Sequence, residues 1–152
     1  MLVNLLLGSV TVFVSMGIQV TFVVWMVRYL INKMEADTKR LGFGFDSYVV
    51  SVVLLMLFFG HLLQIAIWAA VFVYLQEFGD FYSAFYHSTV NFASLGYGDI
   101  VMSEKWRLLG ALEACNGVLM FGLSAGTLLA VMTRLFARHR SEAVPADGKA
   151  EN

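Results

Sequence analysis

From Leu2 to Val27 the chain carries no charged side chain, and a run of that length exceeds the about 20 residues an α-helix needs to cross a hydrocarbon core. Two further apolar runs follow, roughly Tyr48 to Leu75 and Trp106 to Thr133, each also long enough to span. Helices apolar on all sides escape water only in a large core or in lipid. The composition agrees: 59% hydrophobic and 14% charged residues, with a mean hydropathy of +0.74, are far too apolar for a soluble domain of 152 residues. The expected class is an all-α membrane protein. A net charge of -1 argues against a nucleic-acid partner. Cys115 is the single cysteine, so no intrachain disulfide can form. His61, His87 and Cys115 lie on different apolar segments without nucleophile-base spacing or a metal-ligand cluster, which disfavours an enzyme and a resident cofactor.

Charge sets the expected orientation. In the connection 28–46, Arg28, Lys33, Lys39 and Arg40 outweigh Glu35 and Asp37, and the positive-inside rule assigns this loop to the cytoplasm. Gly42 and Gly44 argue against a continuous helix there. Arg134, Arg138, His139 and Arg140 place the end of the third run on the same side, whereas Gln76, Glu77, Phe78, Gly79 and Asp80 suit the outer surface. The first run lacks a basic n-region and a small-residue cleavage site, so 1–27 reads as a retained helix. It contains no arginine, which excludes a voltage sensor. Its Asn4, Gly8, Thr11, Ser15 and Gln19 recur at three- and four-residue spacing, a stripe that predicts packing against another helix. The tail 135–152, with Pro145, Gly148 and mixed charge, is expected to be disordered. The N-terminus then lies outside and the C-terminus in the cytoplasm, and a three-helix chain without a presequence fits a bacterial inner (cell) membrane best.

Phe81 to Phe92 as a helix would be about 18 Å long, about half the bilayer core. The expectation is a re-entrant helix, N-capped by Asp80, that enters from outside and ends near mid-membrane. Ser94-Leu95-Gly96-Tyr97-Gly98-Asp99 follows it. In lipid, non-helical backbone survives only where protein buries it or where it lines an aqueous cavity, so this ribbon needs a pore or a binding site. Glycine reaches positive φ without steric cost, and a Gly-x-Gly alternation lets successive carbonyls face one way. Facing inward, the carbonyls of Ser94, Leu95, Gly96 and Tyr97 and the Ser94 hydroxyl can replace the hydration shell of a cation. In a soluble protein Gly-Tyr-Gly-Asp would be an ordinary turn; its place between a half-length and a full-length apolar helix points to a pore. One such motif per chain cannot surround an ion, so an oligomer is required.

The six residues closely resemble the potassium-channel signature, Thr-Val-Gly-Tyr-Gly-Asp in its commonest form, with Ser94 in place of Thr and Leu95 in place of Val or Ile. The resemblance runs from about Tyr48 to Met132 and implies a pore domain over 47–134. Its parts would be an outer helix at 48–75, a pore helix at 81–92, a filter at 94–99 and an inner helix at 106–133. It further implies a homotetramer in the lipid bilayer that conducts K⁺ passively, with K⁺ as permeant ion at Ser94, Leu95, Gly96 and Tyr97 and with Gly98 completing the ribbon. With one residue deleted after Trp106, the family's inner-helix glycine hinge falls on Gly117. Phe121, Gly122 and Leu123 then match a Phe-Gly-Leu of two-helix bacterial channels, with Phe121 beneath the filter. The resemblance also implies that Tyr86 hydrogen-bonds Asp99 and that His87 reaches the hydroxyl of Tyr97, as a cuff around the filter. The alternative for both is interfacial anchoring and a satisfied polar histidine.

Three positions depart from the family. Val90 removes a carboxylate that some bacterial channels set against the filter aspartate, Ala93 removes a common threonine at the cavity mouth, and Leu95 is bulkier than valine. A weakly selective cation channel, and a non-conducting subunit that needs a partner, therefore stand as alternatives. Glu113, near Asn116, reads either as a filter-support or proton-sensing residue or as a carboxylate still hydrated at the outer interface. Gln64, Trp68 or the pore helix could supply hydrogen bonds to it. His61 reads as a packing residue. Gly122 and Gly126 form a Gly-x-x-x-Gly helix-contact pair, and Thr127, Leu128 and Val131 are candidates for an apolar constriction that closes by dewetting.

Overall fold

The computed structural model describes residues 1–36 and 42–143, which form four helices: α1 Leu2–Ala36, α2 Phe43–Tyr74, α3 Phe81–Phe92 and α4 Arg107–Ala143. Among the described residues there is no strand. α1, α2 and α4 are each long and apolar enough to cross a membrane. α3, with 12 residues, is not. α2 and α4 pack on each other, and both contact α1 and α3.

Helical periodicity explains which faces meet. On α2 the buried positions Val49, Val53, Leu57, Gly60, Gln64 and Trp68 recur every three or four residues, a single stripe. On α1 the stripe of Asn4, Gly8, Thr11, Ser15 and Gln19 is buried, as its spacing predicts. Phe13 and Trp25 of α1 and Leu55 and Phe59 of α2 are exposed, an arrangement suited to lipid. Two cores result. Trp68, Phe72, Ala84, Phe92 and Leu109 join α2, α3 and α4, while Met26 and Leu30 meet Val49, Val53, Leu57 and Val131 where the other ends of α1, α2 and α4 converge.

The helices outrun the apolar segments. α1 continues past Val27 to Ala36, because residues 28–36 contain neither glycine nor proline and Leu30 is still anchored in the second core. α2 starts at Phe43, so the break in the connection lies before Gly44 rather than across it. α4 runs past Thr133 to Ala143, so the start of the expected disordered tail is helical; Leu135 holds it to the same core. Residues 37–41 of the connection and 144–152 of the tail lie outside the described residues.

Candidate functional site

The site is built on α3. Asp80 caps its N-terminus, accepting from the Ser83 backbone N–H at 2.9 Å and the Ser83 hydroxyl at 2.8 Å. These bonds, the backbone one foremost, hold the Asp80 carboxyl below its ordinary value of 3.8. The C-terminus is closed by a Schellman motif. Ser94 adopts φ 55°, its N–H donates to the Asn91 carbonyl at 2.8 Å, and the Leu95 N–H donates to the Val90 carbonyl at 2.9 Å. α2 ends the same way around Gln76, at φ 57°. The residue that stops α3 is thus also the first residue of the glycine ribbon.

Along that ribbon Ser94, Gly96 and Gly98 have φ of 55°, 61° and 73°, and Leu95 and Tyr97 do not share the positive sign. Ser94 through Asp99 are all exposed in the single chain. The C-terminal end of the ribbon is braced twice. The Tyr86 hydroxyl donates to Asp99 Oδ2 at 2.6 Å, and Asp99 Oδ1 accepts from the Ile100 N–H at 3.0 Å. Tyr86 is the main reason that the Asp99 carboxyl lies below its ordinary value of 3.8; the same bond raises the Tyr86 phenol. Glu77, in the turn after α2, accepts from both the backbone N–H and the hydroxyl of Ser103, tying that turn to the segment beyond the ribbon.

Within the single chain His87 pairs elsewhere than with Tyr97. Its Nδ1 lies 3.1 Å from the Ile100 carbonyl and its Nε2 lies 2.8 Å from Asn91 Nδ2, so the ring spans from α3 to the backbone past Asp99. Two contacts fix its tautomer: Nδ1 donates to the carbonyl and Nε2 accepts from the amide. Asn91, one helical turn from His87, was missed as a site residue; its i, i+4 spacing was the available signal.

Behind α3, Glu113 is fully buried. Ser88 and Asn91 of α3 face it, yet no hydrogen bond of normal geometry closes onto either carboxyl oxygen among the described residues. The hydrated reading of Glu113 is therefore not met in the single chain. Gln64 is engaged elsewhere, donating to Gln19 Oε1 at 2.7 Å and to the Gly60 carbonyl at 3.2 Å, and the Trp68 indole N–H is without a partner among the described residues.

Gly117 is a contact point. A Cβ built there would lie 1.9 Å from the Phe92 carbonyl oxygen, so only glycine lets α4 pass so close to the end of α3. Phe121 lies beneath, its ring 5.7 Å from Phe92 and 4.9 Å from His61. His61 is linked to α1 through a buried chain: Gln19 Nε2 donates to Ser124 Oγ at 3.1 Å, and Ser124 Oγ lies 3.0 Å from His61 Nε2. Gly122 and Gly126 face open space. Thr127 and Val131 are buried and Leu128 is half-buried against α1 and α2, so these three do not present a constriction to the outside. The period of 3.6 instead exposes Val118, Gly122, Ala125 and Leu129.

A lone short helix set against two long ones, with an exposed glycine ribbon behind it, defines a multi-pass membrane protein of the ion-channel class. A family model described as "Ion channel" matches residues 53–134, just over half of the chain. The chain belongs to this family, that of two-helix potassium-channel pores. Searches of curated proteins and of solved structures return no match.

Proposed function

We propose that the protein is a homotetrameric potassium channel whose filter is the ribbon Ser94–Gly98. The observation that carries this reading is the alternation of φ sign along Ser94, Leu95, Gly96, Tyr97 and Gly98, directly after a 12-residue helix too short to span. Alternating backbone hand turns successive peptide carbonyls to one side. Four such ribbons around an axis would offer rings of oxygens that substitute for the water around K⁺. α3 is then re-entrant, with the negative end of its dipole toward the permeant ion. Tyr86, Asp99, His87 and Asn91 set the spacing of the ribbon by holding its outer end, and Glu113 supports α3 from behind. The N-terminus lies outside and the C-terminus in the cytoplasm, since the basic ends of α1 and α4 share one side.

Transport needs no covalent step. K⁺ sheds water as carbonyls replace it, and repulsion between ions in adjacent rings pushes the queue along. The test is flux from vesicles loaded with K⁺ or with Na⁺ and containing the purified full chain. Sustained K⁺ efflux that is lost in Gly96→Ala supports the proposal. Equal K⁺ and Na⁺ flux would make the pore a weakly selective cation channel, and no flux in either would make the chain a non-conducting subunit.

A further inference from the structure

α1 lies wholly outside the matched family region, and it opens a groove against α4 that the proposed conducting site does not use. The groove encloses 710 Å³. Val23, Val27 and Leu30 of α1 form one wall, and Gly122, Gly126 and Ala130 of α4 form the other. No Cβ at Gly122 or Gly126 would meet an atom within 4 Å, so the floor of the groove is vacant main chain. At one end the lining changes from apolar to basic, with Arg134 and Arg138. Arg134 is exposed; Arg138 is half-buried, its guanidinium 5.8 Å from the centre of the Phe45 ring.

We propose that this groove binds one anionic phospholipid, an acyl chain lying along Gly122 and Gly126 and the phosphate paired with Arg134. Length, charge and position agree. Twelve residues of α4 separate Gly122 from Arg134, about 18 Å of helix, close to the half-thickness of a core about 30 Å deep. A chain with its headgroup at the arginines therefore ends near the bilayer midplane. Among the described residues the groove's lining sets no carboxylate beside Arg134. Basic pockets between spanning helices on the cytoplasmic side recruit anionic headgroups. A second copy's α4 laid parallel in the groove fits less well, because it would set its own Arg134 and Arg138 at the same depth, like charge against like. The proposal rests on the orientation given above but not on conduction.

The test is native mass spectrometry of the purified full chain with phosphatidylglycerol or phosphatidylcholine of matched acyl composition. The expected result is preferential retention of phosphatidylglycerol. Arg134→Gln should lower that retention about five-fold, the worth of one interfacial cation, and leave phosphatidylcholine unchanged; Arg134→Lys should restore most of it. Gly126→Leu, which fills the groove from its floor, should displace both lipids. Equal retention of the two lipids, or native-like retention by Arg134→Gln, overturns the proposal. So does a Gly126→Leu chain that keeps its lipid and changes oligomeric state, which would assign the groove to a second copy. None of these readings depends on flux, so a silent channel that still selects phosphatidylglycerol separates this proposal from the preceding one.

Discussion

Ser94 does two things that are usually divided between two residues. As the left-handed residue of a Schellman motif it ends α3, and as the first member of the ribbon it starts the alternation that Gly96 and Gly98 continue. The sequence showed the glycines and the hydroxyl but not this double role, since such a helix stop is ordinarily glycine or asparagine. Asp99 was legible as the partner of Tyr86. His87 was not legible as the partner of Ile100 and Asn91, because the choice between a hydroxyl and a backbone carbonyl depends on ring placement that only packing against Phe72 and Phe78 decides. A pH prediction follows for Asp99. Its folded-state pKa is depressed, so the Tyr86 contact contributes fully above the ordinary value of 3.8 and is lost only as pH falls through the lower folded value. Carbon-13 NMR of the labelled carboxyl should show a midpoint below 3.8, moving up in Tyr86→Phe. Gly117 was expected to be a hinge; its contact with Phe92 makes it a seat for α3. Gly117→Ala should lose about 1–3 kcal/mol or more from overpacking, whereas Gly126→Ala, facing open space, should be near neutral; thermal unfolding in detergent compares the two.

At the scale of elements, the existence and order of all four helices were readable from apolar runs and from the short length of α3. Their ends were not, because charge marks where a membrane stops and not where a helix stops; Leu30 and Leu135 carry α1 and α4 beyond the apolar segments. The stripe on α1 announced a packed face but not its partners. Those partners are Ser124 on α4 and Gln64 on α2, joined through Gln19 in one buried chain that also meets His61. α1 is therefore held to α2 and α4 by buried, directional bonds. Gln19→Leu takes one partner each from the Gln64 amide, which keeps the Gly60 carbonyl, and from the Ser124 hydroxyl, which keeps His61, and should lower stability by about 1 kcal/mol. Ser124→Ala combined with it should cost less than the sum of the two single changes, which thermal unfolding of the double-mutant cycle would reveal.

For the whole molecule, the single chain leaves its most specific segment uncovered: Leu95 is 52% and Tyr97 65% exposed. Large apolar side chains left uncovered beside the ribbon call for a partner surface, which the proposed homotetramer would supply. Tyr97→Ala should reduce the tetramer fraction in multi-angle light scattering, as loss of a buried interface aromatic does. No stretch of sequence could display that surface, since it arises only when α3 and α4 turn the ribbon outward together. The central claim is that four ribbons replace the hydration of K⁺ and do so poorly for Na⁺. The most direct measurement is the reversal potential of single channels in a planar bilayer with equal K⁺ on the cytoplasmic side and Na⁺ on the other. The account predicts a strongly negative reversal that disappears with conduction in Gly96→Ala; reversal at zero, or a Gly96→Ala current like that of the native chain, would contradict it.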